Sequence, residues 1–101
     1  MINKEIKNYI ETMIIPKYAD FDKGHNLEHV KTVIEESLNL AESCGLNLDY
    51  AYVIAAYHDL GLCDGREFHH IASGKILEAD ITLRQWFSPD EIKLMKEVGK
   101  I

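Results

Sequence analysis

The sequence predicts an all-α protein of about five helices. Apolar residues recur at three- and four-residue spacing through most of the 101 residues, and no run alternates with a period of two for long enough to form a strand. The composition, with 47% hydrophobic and 28% charged residues, is that of a soluble globular chain. The length corresponds to one domain, so we expect a single helical domain over residues 1–101.

The first two helices are predicted from apolar stripes and end signals. A stripe ending near Pro16 predicts the first helix, and its members are Ile2, Ile6, Tyr9, Ile10 and Met13. The polar segment Tyr18 to Gly24 is predicted to be a loop. A second helix is expected from about Asn26 to Cys44, with Gly45 at its C-cap.

The third and fourth helices follow at short intervals. Asp49 is a candidate N-cap for a helix from Tyr50 to about Leu60. This helix is apolar on nearly every side, which favours a buried position at the centre of the bundle. A fourth helix is predicted from about Arg66 to Glu78 or Ala79.

The last helix has the clearest start. Ser88 is an N-cap residue, Pro89 suits the first turn, and Glu91 completes a capping box with the serine. Ile92 and Met95 give this helix an apolar face. Before it, residues Arg84 to Phe87 are predicted to form a short helical turn.

Charge and hydropathy restrict the function. Eleven Lys and Arg against seventeen Asp and Glu give a net charge of −6, which disfavours general nucleic-acid binding but allows a small phosphorylated molecule held through a metal. No apolar run approaches the ~18 residues that a membrane span needs, and the N-terminus does not resemble a secretory signal. Cys44 and Cys63 form no CxxC pair, so we expect reduced thiols in a cytoplasmic protein.

The five histidines all lie between residues 25 and 70. His25 and His29 are four residues apart, a spacing that places two side chains on one helix face. The pair His58-Asp59 comes near the end of the most apolar helix. Imidazole and carboxylate ligands suit Mn, Fe, Co, Ni or Zn. On its own the pair is explained more simply as a helix end, where the helix dipole favours histidine, and both interpretations stay open on these residues.

The combination of these segments resembles the HD superfamily of metal-dependent phosphohydrolases. The segments are the run Gly24 to Val30 (GHNLEHV), the run His58 to Gly61 (HDLG) and the histidine-containing run Arg66 to Leu77. The resemblance covers the chain from about Tyr18 to Glu97. It implies an HD-domain-like helical bundle, in agreement with the predicted helices.

The resemblance also implies a ligand set. His29 corresponds to the first metal ligand, and His58 and Asp59 to the second and third. His25 is expected beside the metal, near the substrate, where it takes part in catalysis. Asp59 belongs to the catalytic site as a ligand and not as the base.

Two further expectations come from the resemblance. His69 or His70 matches the position that brings a second metal ion in dinuclear relatives; the alternative is that both are solvated histidines on a helix surface. The family places another aspartate on a later helix, so we expect this chain to lack the C-terminal part of the domain. A homodimer is one way to cover the face that such a bundle would expose.

The function that the resemblance implies is hydrolysis of a phosphate ester, with a nucleotide as the default substrate. The ion would be a divalent transition metal: Mn, Fe, Ni, Co or Zn. One alternative is a non-catalytic HD module that binds a nucleotide or a protein partner. Another is a structural metal site, although such sites usually have four ligands and prefer cysteine.

Overall fold

The computed structural model describes residues 2–20, 27–58, 60 and 69–99, and the side chains of residues 20, 69–72 and 99 lie outside that description. Within these ranges the chain is all-α, with five α-helices and no strand, which confirms the predicted class. Its contacts divide it into two units, Met1–Ala56 and Tyr57–Ile101.

The first unit holds α1, α2 and nearly all of α3. Between α1 and α2 it also contains one π-helical turn and one 3-10 helix. The α-helices are α1 (Lys4–Tyr9), α2 (Leu27–Cys44) and α3 (Leu48–Tyr57). A π-helical turn over Ile10–Ile14 and a 3-10 helix over Ile15–Asp20 continue from α1. The second unit holds α4 (His69–Ala79), a 3-10 helix (Ile81–Gln85) and α5 (Pro89–Gly99).

A row of side chains at four-residue intervals anchors the start of the chain, and all its members are almost completely buried: Ile6, Ile10, Ile14 and Tyr18. Four residues of α-helix turn by ~400°, so a regular helix would carry this row away from the core by ~40° per step. In the π-helical turn the N–H of Ile15 donates to the carbonyl of Ile10. This wider turn takes up part of the drift.

Three expectations for this segment are wrong. Helical structure passes through Pro16 and ends at Asp20, because the chain changes from a π-helical turn to a 3-10 helix before the proline. Tyr18 belongs to the buried row and not to a polar loop. Met13, at 57% exposure, lies off that row. Residues 21–24 of the predicted loop lie outside the described residues.

The second helix matches its prediction closely. α2 begins at Leu27, ends at Cys44 and buries Val30, Ile34 and Ala41 on one face, next to the 3-10 helix Ile15–Asp20. Gly45 follows with φ +70°, the left-handed conformation expected of a glycine C-cap.

The start of α3 differs from its prediction. The Oδ1 atom of Asn47 accepts the N–H of Tyr50 at 3.1 Å, so Asn47 is the N-cap. Asp49 is already inside the helix, and its Oδ1 accepts the N–H of Asn3 at 2.8 Å. The predicted N-cap is therefore wrong by two residues, because asparagine and aspartate both suit this role.

The rest of α3 confirms its apolar character. Tyr52, Val53, Ala55 and Ala56 are all buried. The helix ends at Tyr57, three residues before the predicted end at Leu60.

In the second unit α4 packs against α5 at a glycine. A Cβ added to Gly74 would lie 3.1 Å from Cγ of Lys96, so the absence of a side chain lets the two helices approach. At the same contact the Nζ atom of Lys96 lies 3.2 Å from Oε1 of Glu78. Residues 66–68 of the predicted fourth helix lie outside the described residues.

The capping box of α5 is confirmed. The Oγ atom of Ser88 accepts the N–H of Glu91 at 3.2 Å, and the N–H of Ser88 donates to Oε1 of Glu91 at 2.9 Å. Ile92 and Met95 are buried, as predicted. The short helical turn before α5 begins three residues earlier than expected, at Ile81. Among the described helices, none is both long enough and apolar enough to cross a membrane.

Candidate metal-binding residues

The first predicted ligand, His29, is the third residue of α2. Its side chain is half-buried, and it precedes Val30, which is buried in the core. The first turn of the helix therefore holds the imidazole at the edge of the packed face.

The second predicted ligand, His58, follows the last residue of α3. It is half-buried, and the buried residues Tyr57 and Leu60 lie on either side of it in the sequence. The hydroxyl of Tyr57 donates to Oδ2 of Asp80, which anchors the end of α3 within the second unit. Oδ1 of the same aspartate accepts the N–H of Thr82 at 3.1 Å and caps the following 3-10 helix.

Another hydrogen bond fixes α3 two residues before His58. The hydroxyl of Tyr18 donates to the carbonyl of Ala56 at 2.5 Å, and both residues are buried in the first unit. Tyr18 is predicted to lie in a polar loop because the charged residues Lys17 and Asp20 lie close to it in the sequence. The signal for its burial was its position four residues after Ile14, which continues the buried row.

The remaining candidates cannot be assigned a side-chain position. His25 and Asp59 lie outside the described residues. His69 and His70 are the first two residues of α4, but their side chains are not described. His29 and His58 belong to different units, so each is placed only within its own unit. The predicted ligand set therefore stays a prediction.

Among the side chains that the structure describes, no group of three or more His, Cys, Asp or Glu residues is arranged to hold a metal ion. His29 and His58 are among these side chains, whereas those of Asp59, His69 and His70 lie outside the description. Cys44 is exposed at the end of α2 and forms no disulfide there, and Cys63 lies outside the described residues.

Comparison of the chain with protein-family models, with curated proteins and with solved structures gives no match.

Proposed function

We propose that the chain is a metal-dependent phosphohydrolase of the HD type, acting in the cytoplasm on a phosphate ester. A nucleotide is the default substrate. The observation that supports this most is the order of His25, His29 and the His58-Asp59 pair along the chain, which resembles the HD pattern. The all-α class of the described residues is compatible with the bundle that this pattern implies.

The donor set fits a transition metal. His29 and His58 are each half-buried at a helix end. Two imidazoles and the carboxylate of Asp59 suit Mn, Fe, Co, Ni or Zn. When bound in such a site, the ion activates water and polarises a phosphoryl oxygen.

The residues of the proposed site would have different roles. His29 and His58 must be neutral to offer a lone pair, and Asp59 must be ionised. His25 would donate a hydrogen bond to the phosphate or a proton to the leaving oxygen, because imidazole changes charge near neutral pH. His69 or His70 would hold a second ion. A net charge of −6 repels a free phosphate ester, so a cation in the site would also help substrate binding.

The first test is the metal content of the untagged protein, measured by elemental analysis after reconstitution with each candidate metal. We expect about one transition ion per chain, and loss of that ion in Asp59→Ala and His58→Ala because each removes one of only three ligands. Hydrolysis of a panel of phosphate esters, nucleotides included, should be lost in the same two variants. Asp90→Ala is the matched control, since Asp90 is exposed at the start of α5.

Each other outcome excludes part of the proposal. Hydrolysis that survives in Asp59→Ala would contradict the assignment of this ligand. Metal and nucleotide binding without turnover would instead favour the non-catalytic module. Metal binding with a large effect on thermal stability but no hydrolysis and no nucleotide binding would favour a structural site.

A further inference from the structure

A groove of about 760 Å³ lies on the surface of the first unit. Small-molecule sites in proteins typically measure ~300–1,000 Å³. Its lining is mainly apolar and includes Ile15, Pro16, Leu27, Ile34, Leu38 and Tyr52. The groove therefore has the size and the chemistry of a ligand site.

The groove lies on the opposite side of α2 from His29. The lining residues that come from α2 are Leu27, Lys31, Ile34, Glu35 and Leu38. At ~100° per residue, all of them lie within ~80° of Leu27 around the helix axis. His29 is two residues after Leu27 and so lies ~200° away. His29 therefore lies on a different face of α2 from the residues that line the groove.

The four charged residues at the edge of the groove have a net charge of zero. Lys7 and Glu11 come from the first helical segment, and Lys31 and Glu35 come from α2. All four side chains are exposed, and Nζ of Lys7 lies 4.0 Å from Oε1 of Glu11. Two cations and two anions give no net attraction for an ionic ligand, whereas the apolar lining favours an uncharged one.

Tyr52 supplies a hydrogen-bond donor in the groove. The residue is only 3% exposed, and within the described part of the chain no residue forms a hydrogen bond with its hydroxyl. Burial and the nearby carboxylate of Glu11 raise the pKa of Tyr52 to about 12. The hydroxyl thus keeps its proton at neutral pH and is available to an acceptor on a ligand.

We propose that this groove binds an uncharged, largely apolar small molecule whose hydrogen-bond acceptor, such as a ketone or ester carbonyl, accepts from Tyr52. The apolar lining would hold the body of the molecule. The single donor would orient it, as a few polar groups do in other apolar sites. The residues that line the groove include none of the proposed metal ligands, so the two sites can be tested independently.

The test uses the full chain with a chelator present and the neutral, carbonyl-containing dye Nile red, whose fluorescence reports an apolar environment. We expect saturable binding of one dye per chain. Tyr52→Phe keeps the ring but removes the donor, so affinity should fall about three- to tenfold. Ala19→Trp places a large ring at an exposed position of the lining and should abolish binding.

Two controls make the result specific. Ala79→Trp adds the same ring at an exposed residue of α4 outside the groove, and it should leave dye affinity unchanged. Displacement of the dye by an octanone, but only weakly by octane, octanoate or octylammonium, would support both the neutral charge and the acceptor. Circular dichroism of each variant shows that it is folded.

The proposal is overturned if dye binding is not saturable or is equal in Ala19→Trp and Ala79→Trp, because the dye would then bind elsewhere. Unchanged affinity in a folded Tyr52→Phe would refute the role of the hydroxyl. Displacement by octanoate or octylammonium at least as strong as by the octanone would refute the preference for an uncharged ligand.

Discussion

At the scale of single residues, Asp80 joins two elements of the second unit. One carboxylate oxygen accepts the hydroxyl of Tyr57 at the end of α3, and the other accepts the N–H of Thr82 in the following 3-10 helix. The ring of Tyr57 is almost completely buried. His58 comes next in the chain after this contact.

We expect Tyr57→Phe to lower the free energy of unfolding by about 1–3 kcal/mol. The variant keeps the buried ring but removes a hydrogen bond to a carboxylate, and such bonds are worth more than neutral ones. Urea denaturation followed by circular dichroism measures the change.

Tyr52→Phe is the matched control for this prediction. Tyr52 lies on the same helix and is about as deeply buried, but none of the described residues hydrogen bonds with its hydroxyl. Its replacement should therefore cost less than ~0.5 kcal/mol, below the range of a typical hydrogen bond. Equal losses in the two variants would show that the contact with Asp80 contributes no specific stability.

At the scale of elements, the end of α2 shows how a helix stop is encoded. The N–H of Gly45 donates to the carbonyl of Glu42 at 3.3 Å, and the N–H of Leu46 donates to the carbonyl of Ala41 at 2.8 Å. These two bonds form a Schellman motif, which requires a left-handed residue at the position of Gly45. Its φ of +70° meets that requirement.

Gly45→Ala should lower the free energy of unfolding by about 1–2 kcal/mol, because alanine resists the left-handed conformation. A Cβ at this position meets no atom within 4 Å, so the loss would come from the backbone alone. Gly45→Asn should lose less, since asparagine tolerates this conformation. Thermal or urea unfolding would measure both, and an equal loss in the two variants would contradict the backbone explanation.

The helices that could be predicted best are those with a local start or stop signal. α2 ends where Gly45 predicts, and α5 begins at the capping box of Ser88 and Glu91. The segment around Pro16 could not be predicted, because a switch from π-helical to 3-10 geometry leaves no local signature. The hydroxyl of Tyr18 forms a hydrogen bond with the carbonyl of Ala56, which is 38 residues away in the chain, so a local pattern cannot reveal this contact.

The candidate site shows the same division between local and distant information. Imidazole and carboxylate side chains indicate metal chemistry from their types alone. His29 is half-buried because of which face of α2 packs against the core. That face can be predicted from the sequence, because the apolar residues Val30 and Ile34 are four positions apart. The contact of the neighbouring Tyr57 with Asp80 joins residues 23 positions apart, so no local pattern reveals it.

At the scale of the whole molecule, the proposed metal would couple function to folding. The proposed ligands His29 and His58 come from segments far apart in the sequence, so an unfolded chain would not present them together. A ligand that binds the folded state alone stabilises it by mass action. Thermal stability therefore gives a measure of the site that does not require turnover.

We expect a divalent metal at about 100 times its dissociation constant to raise the free energy of unfolding by about 2.7 kcal/mol, and a chelator to reverse the change. The gain should be present at neutral pH and should be lost as the pH is lowered into the acid range, because protons compete with the metal for the imidazole lone pairs. His29→Ala and His58→Ala should each lose the gain, whereas Asp90→Ala should keep it. Thermal unfolding with metal or chelator, across this range of pH, measures the effect. A full gain in His29→Ala or in His58→Ala would remove that histidine from the ligand set, whether or not the protein hydrolyses phosphate esters.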